Sequence, residues 1–144
     1  MNKRTMLTVL IGLAVLAAPL SASAQCINVV PENWDYGDAK VGSTKSQIFT
    51  IESCASVGLT VWIIEITDDA TGGFSVTSAP DLPIIIPGGE SEEVEVTFTP
   101  PSLGAHEAFL YIFSNAPGNH TYVNLFGVGV RGWRCSRAKA APCP

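Results

Sequence analysis

Positive charge is almost missing from the body of this chain. Lys3 and Arg4 open the sequence and Arg131, Arg134, Arg137 and Lys139 close it, so residues 25–130 hold Lys40 and Lys45 against all 13 acids. A segment with a formal charge of −11 repels phosphate backbones, which argues against nucleic acid as a partner. Histidine is nearly as scarce. His106 and His120 are the two present, and no Cys-x-x-Cys pair occurs, so the ligand spacing of a zinc site is lacking. Neither histidine adjoins a nucleophile motif such as Gly-x-Ser-x-Gly, and both read as solvated side chains. The chain therefore reads as non-enzymatic, with no catalytic, cofactor-binding or metal-binding residues to name. Asp68, Asp69 and Asp81 lack the spacing of a calcium loop, and Asp68 to Gly73 reads as a solvated turn. A long segment with apolar residues at helical spacing is also lacking, which sets aside a helical fold.

One apolar run stands out, Leu7 to Ala18, and it is shorter than the ~20 residues that span a bilayer. Lys3 and Arg4 precede it, Pro19 breaks it, and Ala22-Ser23-Ala24 offers small residues for cleavage. This is the layout of a secretory signal peptide cut between Ala24 and Gln25. Three segments follow: a leader at 1–24, a domain at 25–130 and a short basic tail at 131–144. The mature chain is expected in the periplasm or secreted, with no stable membrane insertion after cleavage. Gln25 stands where a bacterial lipoprotein signal carries a small residue before its cysteine, which disfavours lipidation of Cys26.

Export permits disulfides. Cys26, Cys54, Cys135 and Cys143 all lie beyond the leader, an even set with three possible connectivities. The connection near Lys40 lies midway between Cys26 and Cys54. Antiparallel pairing of the strands on either side would bring those two together, leaving Cys135 for Cys143 within the tail or for another chain.

Short alternating runs separated by Gly, Pro, Asn and Asp fill residues 25–130, the pattern of an all-β domain. Strands are expected at Val29-Val30 resuming at Trp34 to Tyr36, and then at 47–52, 59–66, 74–77, 93–98, 107–113 and 121–130. Pro83 and Pro87 bracket a further apolar triplet, Ile84 to Ile86. About seven strands at this spacing favour a two-sheet antiparallel sandwich of immunoglobulin-like type. Glu90, Glu92, Glu93 and Glu95 form a charge run whose outward members are expected to guard against edge pairing.

The order of short motifs is also familiar. Trp34-Asp35-Tyr36-Gly37 is followed by Val41-Gly42-Ser43, and Pro87-Gly88-Gly89-Glu90 leads into Val94 to Pro100. Gly104 then precedes Leu110-Tyr111-Ile112, Ser114 to Gly118 follows, and Leu125-Phe126-Gly127-Val128-Gly129 closes the series. Over residues 28–130 the chain resembles the immunoglobulin-like domain of abnormal-spindle proteins, hydin and many bacterial surface proteins, the ASH or choice-of-anchor-D group. That group is related in fold to major sperm protein and PapD. The resemblance implies a single seven-stranded sandwich that binds proteins or serves as a structural module, without enzymatic activity. It carries no fixed binding residues.

The aromatic residues supply a candidate surface. With Ala108, Leu110 and Ile112 inward, period-2 alternation turns Phe109, Tyr111 and Phe113 outward. Val123 and Leu125 inward leave Tyr122, Asn124 and Phe126 outward, and Val61 inward leaves Trp62 outward. In such a sandwich these strands neighbour one another in one sheet. Trp62, Phe109, Tyr111, Phe113, Tyr122 and Phe126 would then share a solvent-facing surface suited to a protein partner or a second copy. The alternative readings are a carbohydrate platform, with Asn124 as the clear polar group, and aromatics that serve only as strand formers.

Overall fold

The computed structural model describes residues 24–132. Nine strand segments follow in chain order: β1 Ile27–Val30, β2 Asn33–Lys40, β3 Lys45–Ser53, β4 Leu59–Thr67, β5 Phe74–Ser78, β6 Ile84–Ile86, β7 Ser91–Phe98, β8 Gly104–Ser114 and β9 His120–Val130. They form a four-stranded sheet in the order β1-β3-β7-β5 and a five-stranded sheet in the order β2-β9-β8-β4-β6. The immunoglobulin-like sandwich expected from the alternation is present. Its segments outnumber the expected seven because the first strand is shared between sheets and the bracketed triplet pairs with β4. β1 runs antiparallel to β3 in one sheet, and after Pro31 and Glu32 the chain crosses over as β2 to run parallel to β9 in the other.

The core is built from strictly alternating side chains. Phe49 and Ile51 on β3 and Val94, Val96 and Phe98 on β7 face Leu59 and Val61 on β4, Leu110 and Ile112 on β8, and Val123 and Leu125 on β9, all buried. Burial of such side chains contributes ~1.5–3 kcal/mol each before chain entropy is subtracted. An aromatic cluster ties the sheets together at one end. Phe98 stacks on Phe74 at 4.6 Å between ring centroids and lies 5.5 Å from Tyr36 and 5.7 Å from His106. Gly127 lies beneath this ring, and a Cβ there would overlap it. Tyr36, on the five-stranded sheet, donates its hydroxyl to the Val96 carbonyl of the opposite sheet at 2.8 Å. Burial, and then the nearby Glu95 carboxylate, push the Tyr36 phenol well above its ordinary range, so it stays a donor.

Two expectations need correction here. Glu93 and Glu95 do face outward, but β7 lies between β3 and β5 rather than at an edge. There they make a polar outer surface. His106 is also not solvated, being 3 % exposed. It has the parity of Ala108 and Leu110, so the alternation that orders β8 carries it inward. Its Nε2 lies 3.0 Å from the Ser102 carbonyl and its Nδ1 2.8 Å from Thr71 Oγ1.

Cys26 and Cys54 form a disulfide with their Cα atoms 5.0 Å apart. They flank the paired ends Ile27 and Ser53 of β1 and β3, and the Cys54 amide donates to the Cys26 carbonyl at 3.2 Å. The antiparallel pairing is as expected, although the intervening chain makes a strand of the other sheet rather than a hairpin. The leader up to Ser23 and the Cys135–Cys143 pair lie outside the described residues. Replacing Cys26 and Cys54 together by Ser opens a link spanning 28 positions. The expected loss is about 3–4 kcal/mol in the chain-entropy model, measured as a lowered midpoint in urea unfolding against the oxidised protein.

Candidate functional surface

The two outer faces of the sandwich differ in kind. On the four-stranded sheet, Thr50 stands opposite Glu93, Ile48 opposite Glu95, and the Ser75 and Thr97 hydroxyls lie 2.9 Å apart. That face is polar apart from Ile48 and Val30, which stands opposite Thr50. On the five-stranded sheet, aromatic side chains cross three adjacent strands.

The rings form a continuous series. Trp62 on β4 lies 5.3 Å from Phe113 on β8, and Phe113 lies 5.3 Å from His120 on β9. His120 stacks on Tyr111 at 5.7 Å, Tyr111 lies 5.2 Å from Tyr122, and Tyr122 meets Phe109 edge-on at 6.1 Å. These separations fall in the range where aromatic pairs gain energy beyond area burial, about 0.5–1.5 kcal/mol each. The pairs arise from register. Tyr111 stands directly opposite Tyr122, and Phe113 opposite His120. Trp62 and Tyr122 are exposed, the latter at 55 %, whereas Phe109, Tyr111 and Phe113 are half-buried by their neighbours.

All six proposed residues therefore face outward from one sheet, with Phe126 set apart. Phe126 is exposed but stands between Asp35 on β2 and Glu107 on β8, and it joins no ring in the series. Three members escaped the sequence reading. His120 begins β9 rather than lying in the preceding turn, and parity with Tyr122 places it on this face. Ile63 reaches the face through an irregularity in β4 pairing between Val61 and Ile63, which turns two successive residues outward. Alternation could not have found it. Ile85 on β6 stands opposite Thr60, next to Trp62, and is 68 % exposed. It was legible only once β6 was known to pair with β4.

Polar atoms lie among the rings. The Tyr111 hydroxyl and His120 Nδ1 are 2.8 Å apart, and Glu65 stands opposite Tyr111 on β4. Loss of solvation among the rings, the adjoining Tyr122 phenol and the Glu65 carboxylate keep the Tyr111 phenol above its ordinary range. Among the described residues no group of three or more His, Cys, Asp or Glu side chains is placed to hold a metal ion. Asp69 has a different task. It accepts from the amides of Gly72 and Phe74 at 2.8 Å, from the Thr71 amide at 3.1 Å and from the Thr71 hydroxyl at 3.0 Å, closing the turn before β5. Thr71 in turn meets His106, so this turn is pinned to the core. Burial raises the Asp69 carboxyl, but the hydrogen bonds from Phe74 and Thr71 outweigh it and hold the group below the usual carboxylate range.

Comparison with known proteins bears on the fold. The ASH family model, described as "Abnormal spindle-like microcephaly-assoc'd, ASPM-SPD-2-Hydin", matches residues 28–122. No curated protein matches the sequence. Among solved structures, the ASH/PapD-like domain 7 of human CEP192 superposes with a TM-score of 0.58 at 12 % identity, covering 85 % of this chain and 99 % of that one. The VesB protease of Vibrio cholerae gives 0.59 at 18 % identity over 71 % of this chain and 31 % of its own. The YadV chaperone gives 0.53 at 16 % identity over 72 % of this chain and 51 % of its own. The chain thus spans under a third of that protease and about half of that chaperone. At these identities the likeness is one of fold.

Two measurements check this geometry. Leu110→Ala is expected to cost about 2–5 kcal/mol by leaving a core cavity, whereas Tyr111→Ser, one residue away, should cost about 1–2 kcal/mol through its two ring contacts, read from chemical denaturation. Asp69→Asn should flatten the acid limb of the stability–pH curve. Because the folded Asp69 carboxyl titrates below its unfolded value, its contribution is present above the unfolded value and is lost as pH falls through the folded one. The variant should therefore lose stability at neutral pH and approach the parent near pH 2.

Proposed function

The chain belongs to the ASH family, and we propose that it is an exported, non-catalytic protein-interaction module whose partner lies against the aromatic face of the five-stranded sheet. The observation that carries this reading is the continuous ring series from Trp62 to Tyr122 on a solvent-facing sheet, beside exposed Ile63 and Ile85. Contiguous apolar surface of this kind tends to mark an interface, and aromatic residues are enriched among those that carry binding energy. The opposite face, rich in Glu and Thr, offers no such anchor. Family membership supports a binding role, and the fold is like that of the YadV chaperone. The Cys26–Cys54 bridge supports an oxidising compartment, the periplasm or the exterior, consistent with the leader read in the first 24 residues. The form of this role that we propose is a subunit of a surface assembly, through self-association or a second protein.

Carbohydrate is the second reading, favoured by the hydrogen-bonded Tyr111–His120 pair and by Asn124 among rings that could stack on a sugar. The two readings part experimentally. Pull-down from native extract with the parent and with a Tyr111→Ser, Phe126→Ser double variant should recover a partner only with the parent. Thermal unfolding of the variant should remain one cooperative transition, lowered by about 5–15 °C, since Tyr111 loses two ring contacts at up to about 1 kcal/mol each. Equal recovery by both proteins would remove the face as the protein site. Signal on a glycan array that the variant loses would assign it to sugar instead.

A further inference from the structure

β9 has β8 along one side for its whole length, but β2 joins its other side only from Asn33, opposite Asn124. Among the described residues no strand lies beside His120–Val123 there. Which backbone groups face that gap follows from the ladder. The Ser114 amide donates to the Asn119 carbonyl at 2.9 Å, so Ile112 and Thr121 form a hydrogen-bonded pair, whereas Tyr111 and Tyr122 form a non-bonded one. Even-numbered residues of β9 therefore direct their N–H and C=O away from β8. The far end agrees, since the Val130 carbonyl accepts from the Val41 amide at 3.0 Å on the β2 side. Tyr122 has this orientation with no β2 residue opposite it. Its edge opens on a cleft of about 290 Å³ between the sheets. Val29 and Val123 are buried at the base of that cleft, beside half-buried Ile27, and exposed Glu32 stands at its mouth.

We propose that this end of β9 accepts an extended peptide from a partner protein as an added strand, in line with β2 and hydrogen-bonded to the Tyr122 backbone. A free pair of backbone donor and acceptor beside a cleft lined by Ile27, Val29 and Val123 together with Asn28, Glu32 and Thr121 is matched by another backbone whose alternate side chains fill the cleft. The His120 amide is already bonded to the Gly118 carbonyl, so the open stretch from the His120 carbonyl to Val123 allows about 10 Å of such pairing at ~3.3 Å per residue. Charge selects the segment. Among the described residues the cations are Lys40, Lys45 and Arg131, and none lies at this end: Lys40 stands opposite Val130, and Lys45 opposite Phe98. The occupant is therefore a segment alternating small apolar residues, directed at Val29 and Val123, with Lys or Arg near Glu32. The inference rests on the reading of the domain as a protein-binding module, but it uses the strand edge rather than the ring surface.

The test titrates the oxidised protein with three synthetic hexapeptides: alternating Lys and Val, alternating Glu and Val, and a fully N-methylated form of the first. Backbone amide resonances and hydrogen exchange at Tyr122 are followed. Binding of the Lys-Val peptide with slowed exchange at Tyr122, and none by the Glu-Val or N-methylated forms, is the expected result. Glu32→Lys should weaken that binding about tenfold or more, equivalent to ~1.4 kcal/mol. Ile48→Ser, on the outer face of the four-stranded sheet, should leave it unchanged. Equal binding of the N-methylated peptide would overturn the proposal, as would an unprotected Tyr122 amide in the complex. No resonance shift with millimolar Lys-Val peptide would overturn it too, while leaving the aromatic-face reading to its own test.

Discussion

The ring of Phe98 is the constraint around which the sandwich closes. It projects from β7 of the four-stranded sheet, stacks on Phe74, and meets Tyr36 and His106 of the opposite sheet. It reaches that sheet because Gly127 has no side chain, and a Cβ there would have to share its space. Gly127 and His106 stand opposite each other on β9 and β8, so one ring sets the spacing of both strands from the other sheet. Interiors at crystal-like density do not absorb such an overlap without backbone shifts. The Tyr36–Val96 hydrogen bond adds a directional tie across the same end.

With that spacing set, the outward faces follow. Every inward residue on β8 and β9 obliges its neighbour to face water, and the chain places rings at those outward positions. Half of the rings then shelter one another, which lowers the cost of exposing them. The four-stranded sheet obeys the same rule with Glu and Thr outward. The contrast between the faces is a contrast in residue choice on identical geometry, and for that reason it points to function more strongly than any single exposed ring.

The edge of β9 arises differently. The first strand divides between the sheets, β1 on one and β2 on the other, which leaves the start of β9 uncovered and opens a cleft beneath it. An aromatic face and an open strand edge therefore meet at Tyr122. The buried His106 and the Asp69 turn hold the opposite region of the domain, joined through Thr71.

Alternation along the sequence determined the sandwich, the inward sets on β7, β8 and β9, the outward rings and the pairing of Cys26 with Cys54. Each of these needs only a period of two and the proximity that antiparallel pairing gives. Alternation extended two residues would also have turned His106 inward and joined His120 to the rings. What the tertiary structure alone decided is where that period breaks and which strand lies beside which. The irregularity that turns out Ile63, the pairing of β6 that adds Ile85, the central place of β7 and the uncovered start of β9 all depend on contacts between distant segments. A local pattern records which way a side chain points. It does not record what stands opposite, because that is settled by packing across the whole core.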